Sequence, residues 1–134
     1  MPIYATADAF YPVIKDVFDR IEQTAPHALN GLMRSKLIVR FKLTHPIAEI
    51  TLNGRRPTFQ VTYGPSKIMA DLEAHFTGDT LHKIFLGQWT LAHALNIGQL
   101  RITGPILKAL EMAALFESAK QIYPAVLKER GLLK

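Results

Sequence analysis

The chain has 134 residues, enough for one domain built round a single core. With 49% apolar and 20% charged residues it has the balance of a globular chain, and no run of about 18 uncharged apolar residues offers a transmembrane helix. The lack of cysteine excludes disulfides, thiol nucleophiles and thiolate metal sites, and the net charge of +5 points to an anionic partner.

The N-terminus MPIYATADAF lacks a basic stretch followed by an apolar one, so no secretory signal is expected. The C-terminus is not Ser-Lys-Leu, and a reducing cytoplasm is the expected compartment. Asp8 reads as the N-cap of a first helix, with Pro12 tolerated in its first turn. Phe10, Ile14, Val17, Phe18 and Ile21 form one stripe, with Lys15, Asp16, Asp19, Arg20 and Glu22 opposite, and the helix should end before Ala25-Pro26. Residues 27–33 read as a short helical turn around Asn30-Gly31.

Residues 36–43 alternate, with Leu37, Val39, Phe41 and Leu43 on one face and Lys36, Arg40 and Lys42 on the other, Ile38 among them. After a turn at His45-Pro46, a second strand alternates Ala48, Ile50 and Leu52 with Glu49 and Thr51. Asn53-Gly54 signals a hairpin because both positions tolerate positive φ. A third strand over 58–63 places Phe59, Val61 and Tyr63 on one face. Beyond the loop Gly64-Pro65-Ser66, a fourth alternates Ala70, Leu72, Ala74 and Phe76 with Asp71, Glu73 and His75. Four successive strands, each with one apolar and one wet face, predict an antiparallel sheet covered on one side.

Thr77-Gly78-Asp79 opens a helix closed by Gly87, and residues 89–96 form another before Gly98. A short strand follows over 99–102. The segment from Pro105 is apolar over most of its circumference, with Lys108, Glu111 and Glu117 its only polar residues before Ser118. Such a helix is either central or borders an apolar cavity. Residues 122–134 read as a tail helix interrupted near Pro124. The pattern as a whole is α+β, one domain over 1–134, with helices on one face of the sheet.

Catalytic constellations do not appear. There is no Gly-x-Ser-x-Gly elbow and no phosphate loop. His27, His45, His82 and His93 are scattered. Asp71, Glu73 and His75 share a strand face that could ligate a metal, but an alternating solvent face commonly carries such residues without function. No enzyme, metal site or cofactor is therefore expected. Between Arg34 and Arg56 stand Arg34, Lys36, Arg40, Lys42, Arg55 and Arg56 against Glu49 alone. This cluster suits an anionic membrane or a phosphorylated headgroup, unless it is only a solvated sheet face. Nucleic acid is not expected, because no aromatics interleave with these cations on the wet face.

The segment 69–116 resembles the sterol carrier protein type 2 family of lipid-binding domains. The resemblance is carried by Ala70-Asp71-Leu72, Thr77-Gly78-Asp79-Thr80-Leu81, Gly87, residues 92–95, the run from Ile97-Gly98 to Thr103-Gly104, and residues 106–116. Pro105 after Gly104 and Pro124 in the tail depart from the family pattern. The resemblance implies a five-stranded, mostly antiparallel sheet with helices on one face, enclosing an apolar tunnel for fatty acid, acyl-CoA, sterol or phospholipid, with no catalysis. Candidates for the tunnel wall are Phe59, Tyr63, Leu72, Phe76, Ile84, Phe85, Trp89, Leu95, Ile106, Leu107, Leu110, Ala113, Ala114 and Phe116. The alternative is a scaffold or accessory protein whose groove takes a polyprenyl lipid, another protein's helix or a second copy of the chain.

Overall fold

The structure is a computed structural model and describes residues 2–132. Helix α1 (Ala7–Thr24) turns its apolar stripe of Phe10, Ile14, Val17, Phe18 and Ile21 inward, joined by Val13. Its N-cap is Thr6 rather than Asp8: the Thr6 hydroxyl accepts the Ala9 N–H at 3.1 Å, and Asp8 lies in the first turn, where its charge suits the helix dipole. A 3-10 turn (Pro26–Leu29) and the short helix α2 (Asn30–Arg34) follow.

Strand β1 (Ile38–Thr44) starts two residues later than the alternation suggests. Lys36 closes α2 instead. Its φ is +52°, and the Leu37 N–H reaches back to the Leu32 carbonyl at 3.0 Å, a left-handed helix end of the kind glycine usually supplies. Antiparallel β2 (Ala48–Asn53) and β3 (Gln60–Tyr63) follow, then β4 (Leu72–Thr77) and β5 (Leu100–Thr103). The sheet order is β3-β2-β1-β4-β5, and β4 runs parallel to β1 while the other pairings are antiparallel. The sheet is thus mixed, and the expectation of four antiparallel strands in succession fails at β4. Alternation reports which side chains share a face but not which neighbour a strand pairs with.

The connection from β3 to β4 makes that parallel pairing and also corrects the one-sided sheet. Residues 64–71 cross from the far edge to β4 over the outer face, where the Ile68 carbonyl accepts from the Arg40 guanidinium. Ile38, Arg40, Thr51 and Asn53 are buried beneath this strap. The Asn53-Gly54 hairpin is wider than a tight turn, and Gly54 is not in the left-handed region. Glycine is needed there for close approach: a Cβ would stand 2.5 Å from the Leu32 carbonyl oxygen.

The inner face is built in rows across the strands. One row is Tyr63–Ile50–Phe41–Ala74–Ile102 and the next Ala48–Leu43–Phe76–Leu100. Against it pack α1, α3 (Gly78–Phe85), a 3-10 segment (Ile106–Met112) and α5 (Ala113–Glu129), with α4 (Leu91–Asn96) beside β5. Thr77 and Thr90 cap α3 and α4, and Gly87 and Gly98 close them at φ +76° and +75°. The second of these helices begins at Leu91, not at Trp89.

The expected helix from Pro105 is thus a 3-10 segment followed by α5, and the tail break is absent. Pro124 sits inside α5, which continues to Glu129 because Tyr123, Val126 and Leu127 remain buried on either side of it. Leu133 and Lys134 of the expected tail lie outside the described residues. No helix among those residues is long and apolar enough to cross a membrane.

Candidate functional site

The inner face and the helical layer do not meet everywhere. Between them lies an apolar cavity of about 40 Å³. The sheet supplies its floor: Val39 and Phe41 from β1, Leu72, Ala74 and Phe76 from β4, and Leu100 and Ile102 from β5. Leu81 and Ile84 of α3, Leu91 of α4, Ala109 and Met112 of the 3-10 segment, and Phe116 of α5 close it. Four rings tie this floor to the helical layer. Phe116 stacks on Phe41 at 6.0 Å with planes 12° apart, Phe76 meets Phe41 edge-on at 5.6 Å, and Phe85 meets Phe116 at 5.7 Å. Beyond Phe116 a surface hollow of about 170 Å³ shares Ile84, Leu91 and Phe116 with the cavity and is bordered by Trp89, Thr90, Ala113, Glu117 and Lys120. Ile84, Leu91 and Phe116 therefore form the wall common to the cavity and the hollow.

Of the residues expected at a tunnel wall, Leu72, Phe76, Ile84 and Phe116 line the cavity, and Trp89 and Ala113 its outer hollow. Phe85 is fully buried behind Phe116. Phe59 and Tyr63 lie toward the opposite edge of the sheet, Phe59 in the core and Tyr63 edge-on to Tyr11 at 6.3 Å. Leu95 is half-buried in α4. Ile106, Leu107, Leu110, Ala113 and Ala114 are exposed. The segment is apolar on both sides, but Ala109 and Met112 are the ones facing in. With about three residues per turn in its first part, a 100° helical wheel assigns its faces wrongly. Val39 and Phe41, absent from the expected wall, were legible as the apolar face of β1, whereas Leu100 and Ile102 lie on a strand to which the sequence reading gave no face. What the strands alone did not reveal was that β1, β4 and β5 are neighbours.

The basic cluster is also divided. Arg40 is buried at 7% exposure: its guanidinium meets Glu73 at 3.3 Å and Glu49 at 3.7 Å, and bonds the Thr51 hydroxyl at 3.2 Å. It is a structural ion pair and does not face a partner. Arg55 pairs with Asp71 at 2.6 Å, while Arg34, Lys36 and Arg56 are exposed and Lys42 is half-buried on the outer face. The carboxylates beside His75 are engaged as well. Asp71 accepts the Ile38 N–H at 2.8 Å and Glu73 holds Arg40. Among the described residues no three histidine or acidic side chains converge on a metal position.

Behind the cavity the Tyr4 and Tyr123 hydroxyls are 2.6 Å apart, and Tyr123 Oη lies 2.7 Å from His82 Nδ1. Burial pushes the Tyr4 phenol up to about 12, raises Tyr123, and lowers His82 below the ordinary imidazole value. With neutral His82 accepting, Tyr123 donates to the ring and Tyr4 donates to Tyr123. The chain of bonds ties the N-terminal segment to α5 and α3.

The chain is thus a five-stranded mixed sheet with one helical layer and an apolar cavity between them. This is the fold of the sterol carrier protein 2 domains. Sterol carrier protein 2 from Yarrowia lipolytica, in its apo form, superposes with a TM-score of 0.62 at 18% identity, over 85% of this chain and 91% of that one. The sterol carrier protein domain 2 of Helicoverpa armigera gives 0.66 at 16% identity, over 83% and 87%. Palmitated sterol carrier protein 2 like 2 from Aedes aegypti gives 0.59 at 15%, over 78% and 90%. No protein-family model matches the sequence, and no curated protein matches it.

Proposed function

We propose that the protein binds and carries a lipid through an acyl chain held in the cavity beneath Phe116, without catalysis. The observation that carries this reading is the apolar cavity itself, set between sheet and helices in a fold whose solved examples include a palmitated one. At about 40 Å³ it is too small for an acyl chain, whereas ligand sites occupy about 300–1,000 Å³. Binding therefore requires the Phe116 ring and the 3-10 segment to move outward and join the cavity to the hollow beyond. Lys120 at that hollow, and Lys83 4.3 Å from the Trp89 ring, suit an anionic headgroup. Apolar transfer supplies the affinity, at about 25 cal/mol per Å² buried, so a long chain binds without a specific polar contact.

Native mass spectrometry of the purified protein, with titration by a fluorescent fatty acid, tests this. The expected result is a co-purifying lipid or saturable uptake, lost in Ala74→Phe, which fills the cavity from the middle of β4. A protein that carries no lipid and takes up no probe refutes the reading.

A further inference from the structure

Several contacts place separate parts of the chain at one end of the sheet. Asp71 bonds Ile38 where β1 begins, and Arg55 bonds both Asp71 and the Lys36 carbonyl. A Cβ on Gly104 would meet the Asp71 carbonyl, and one on Gly31 would meet Glu111. The strap, the β2–β3 loop, the end of α2 and the 3-10 segment therefore meet at this end, away from the β1–β2 turn that carries Ile47. Large apolar side chains stand out into water here: Met69 is 85% exposed, Leu107 79% and Leu110 72%, with Ile68 and Ile106 also exposed. The segments that meet here carry the exposed cations Arg34, Lys36, Arg55, Arg56, Lys67 and Lys108 against the acids Asp71 and Glu111.

We infer that this end docks on an anionic lipid bilayer, with Met69, Leu107 and Leu110 entering the interface and the cations lying over the headgroups. Exposed apolar side chains on segments that carry cations match the two attractions such a surface offers: apolar burial at the acyl boundary and a negative potential above it. A protein groove would supply the first, but only an extended anionic surface satisfies cations drawn from four separate segments. The 3-10 segment also gives the docking a consequence. Ala109 and Met112 close the cavity on its inner side while Leu107 and Leu110 face outward. A segment held by the bilayer on one side is drawn off the cavity on the other, where lipid leaves or enters. This consequence rests on the carrier reading, and the docking surface stands without it.

The test is flotation with phosphatidylcholine vesicles, with and without phosphatidylserine. The intact protein should float with the anionic vesicles, about tenfold or more better than with neutral ones, and should be released by salt. Leu107→Glu with Leu110→Glu should abolish flotation, and Arg34→Glu with Arg56→Glu should do the same. Ile47→Glu, exposed at the opposite end, should change nothing. Thermal melts confirm that each variant is folded. Equal flotation with neutral vesicles, or loss in Ile47→Glu as large as in the leucine variant, overturns the inference. So does a dimer in sedimentation that the leucine variant dissociates, since the face would then belong to a second copy. Uptake of a fluorescent fatty acid, measured without vesicles, separates the two readings. Uptake without flotation defeats the docking surface alone, and flotation without uptake defeats the carrier alone.

Discussion

Arg40 keeps its charge inside the fold. It lies between the strap and the sheet with Glu73, Glu49, Thr51 and the Ile68 carbonyl as partners. Arg40→Ala would strand Glu73 and release the strap, and a loss of about 3 kcal/mol is expected in urea unfolding. Arg34→Ala, from the same basic run but exposed, should stay within about 0.5 kcal/mol. Nothing in the sequence separates these two arginines; the difference is that the β3–β4 connection crosses over one of them. Lys36 makes the reverse case. The α2 end has the hydrogen bonds of a glycine-closed helix but a lysine at φ +52°, so a strand start was the natural reading of the alternation. Lys36→Gly should raise stability by about 1 kcal/mol, read as a higher melting temperature.

Among the elements, α5 and the 3-10 segment before it depart most from what the sequence led one to expect. Pro124 has no N–H for the Lys120 carbonyl, yet the helix runs through it, because Leu115, Ala119, Tyr123, Val126 and Leu127 pack the same buried stripe before and after. Pro124→Ala should therefore stabilise the protein by about 1 kcal/mol or more, with greater helical content by circular dichroism. The excess apolarity of residues 106–116, read as a cavity-facing signal, divides in the structure. Ala109, Met112 and Phe116 face in, while Leu107 and Leu110 face out. The sequence showed that this segment had more apolar surface than one face could use. It did not show that the surplus lay outside, since that depends on the segment winding as a 3-10 helix over β4.

Across the whole molecule, the Tyr4–Tyr123–His82 bonds join the N-terminus to α5 and α3. His82 is held neutral chiefly by burial, with Lys83 adding to the effect and Asp79 opposing it. Its folded pKa lies below the ordinary 6.5, so the unfolded chain takes up the proton first. The stability His82 contributes is present above that value and is lost as pH falls through and below it. His75 acts in the same direction, through burial and the nearby Arg101 and Lys42 against Glu73. Melting temperature should fall between about pH 7.5 and pH 5.5, and fall less in His82→Gln, whose amide oxygen still accepts from Tyr123.

The sequence by itself determined the α+β class, the apolar faces of the first four strands, the stripe of α1 and the two helices that glycine closes. Each follows from a period or a backbone preference that a few neighbouring residues express. Only the tertiary structure decided that β4 lies parallel beside β1, that a strap buries Arg40, and which side of the 3-10 segment closes the cavity. Those are relations between segments far apart in the chain, set by the packing of one apolar face against another, and no local spacing carries them.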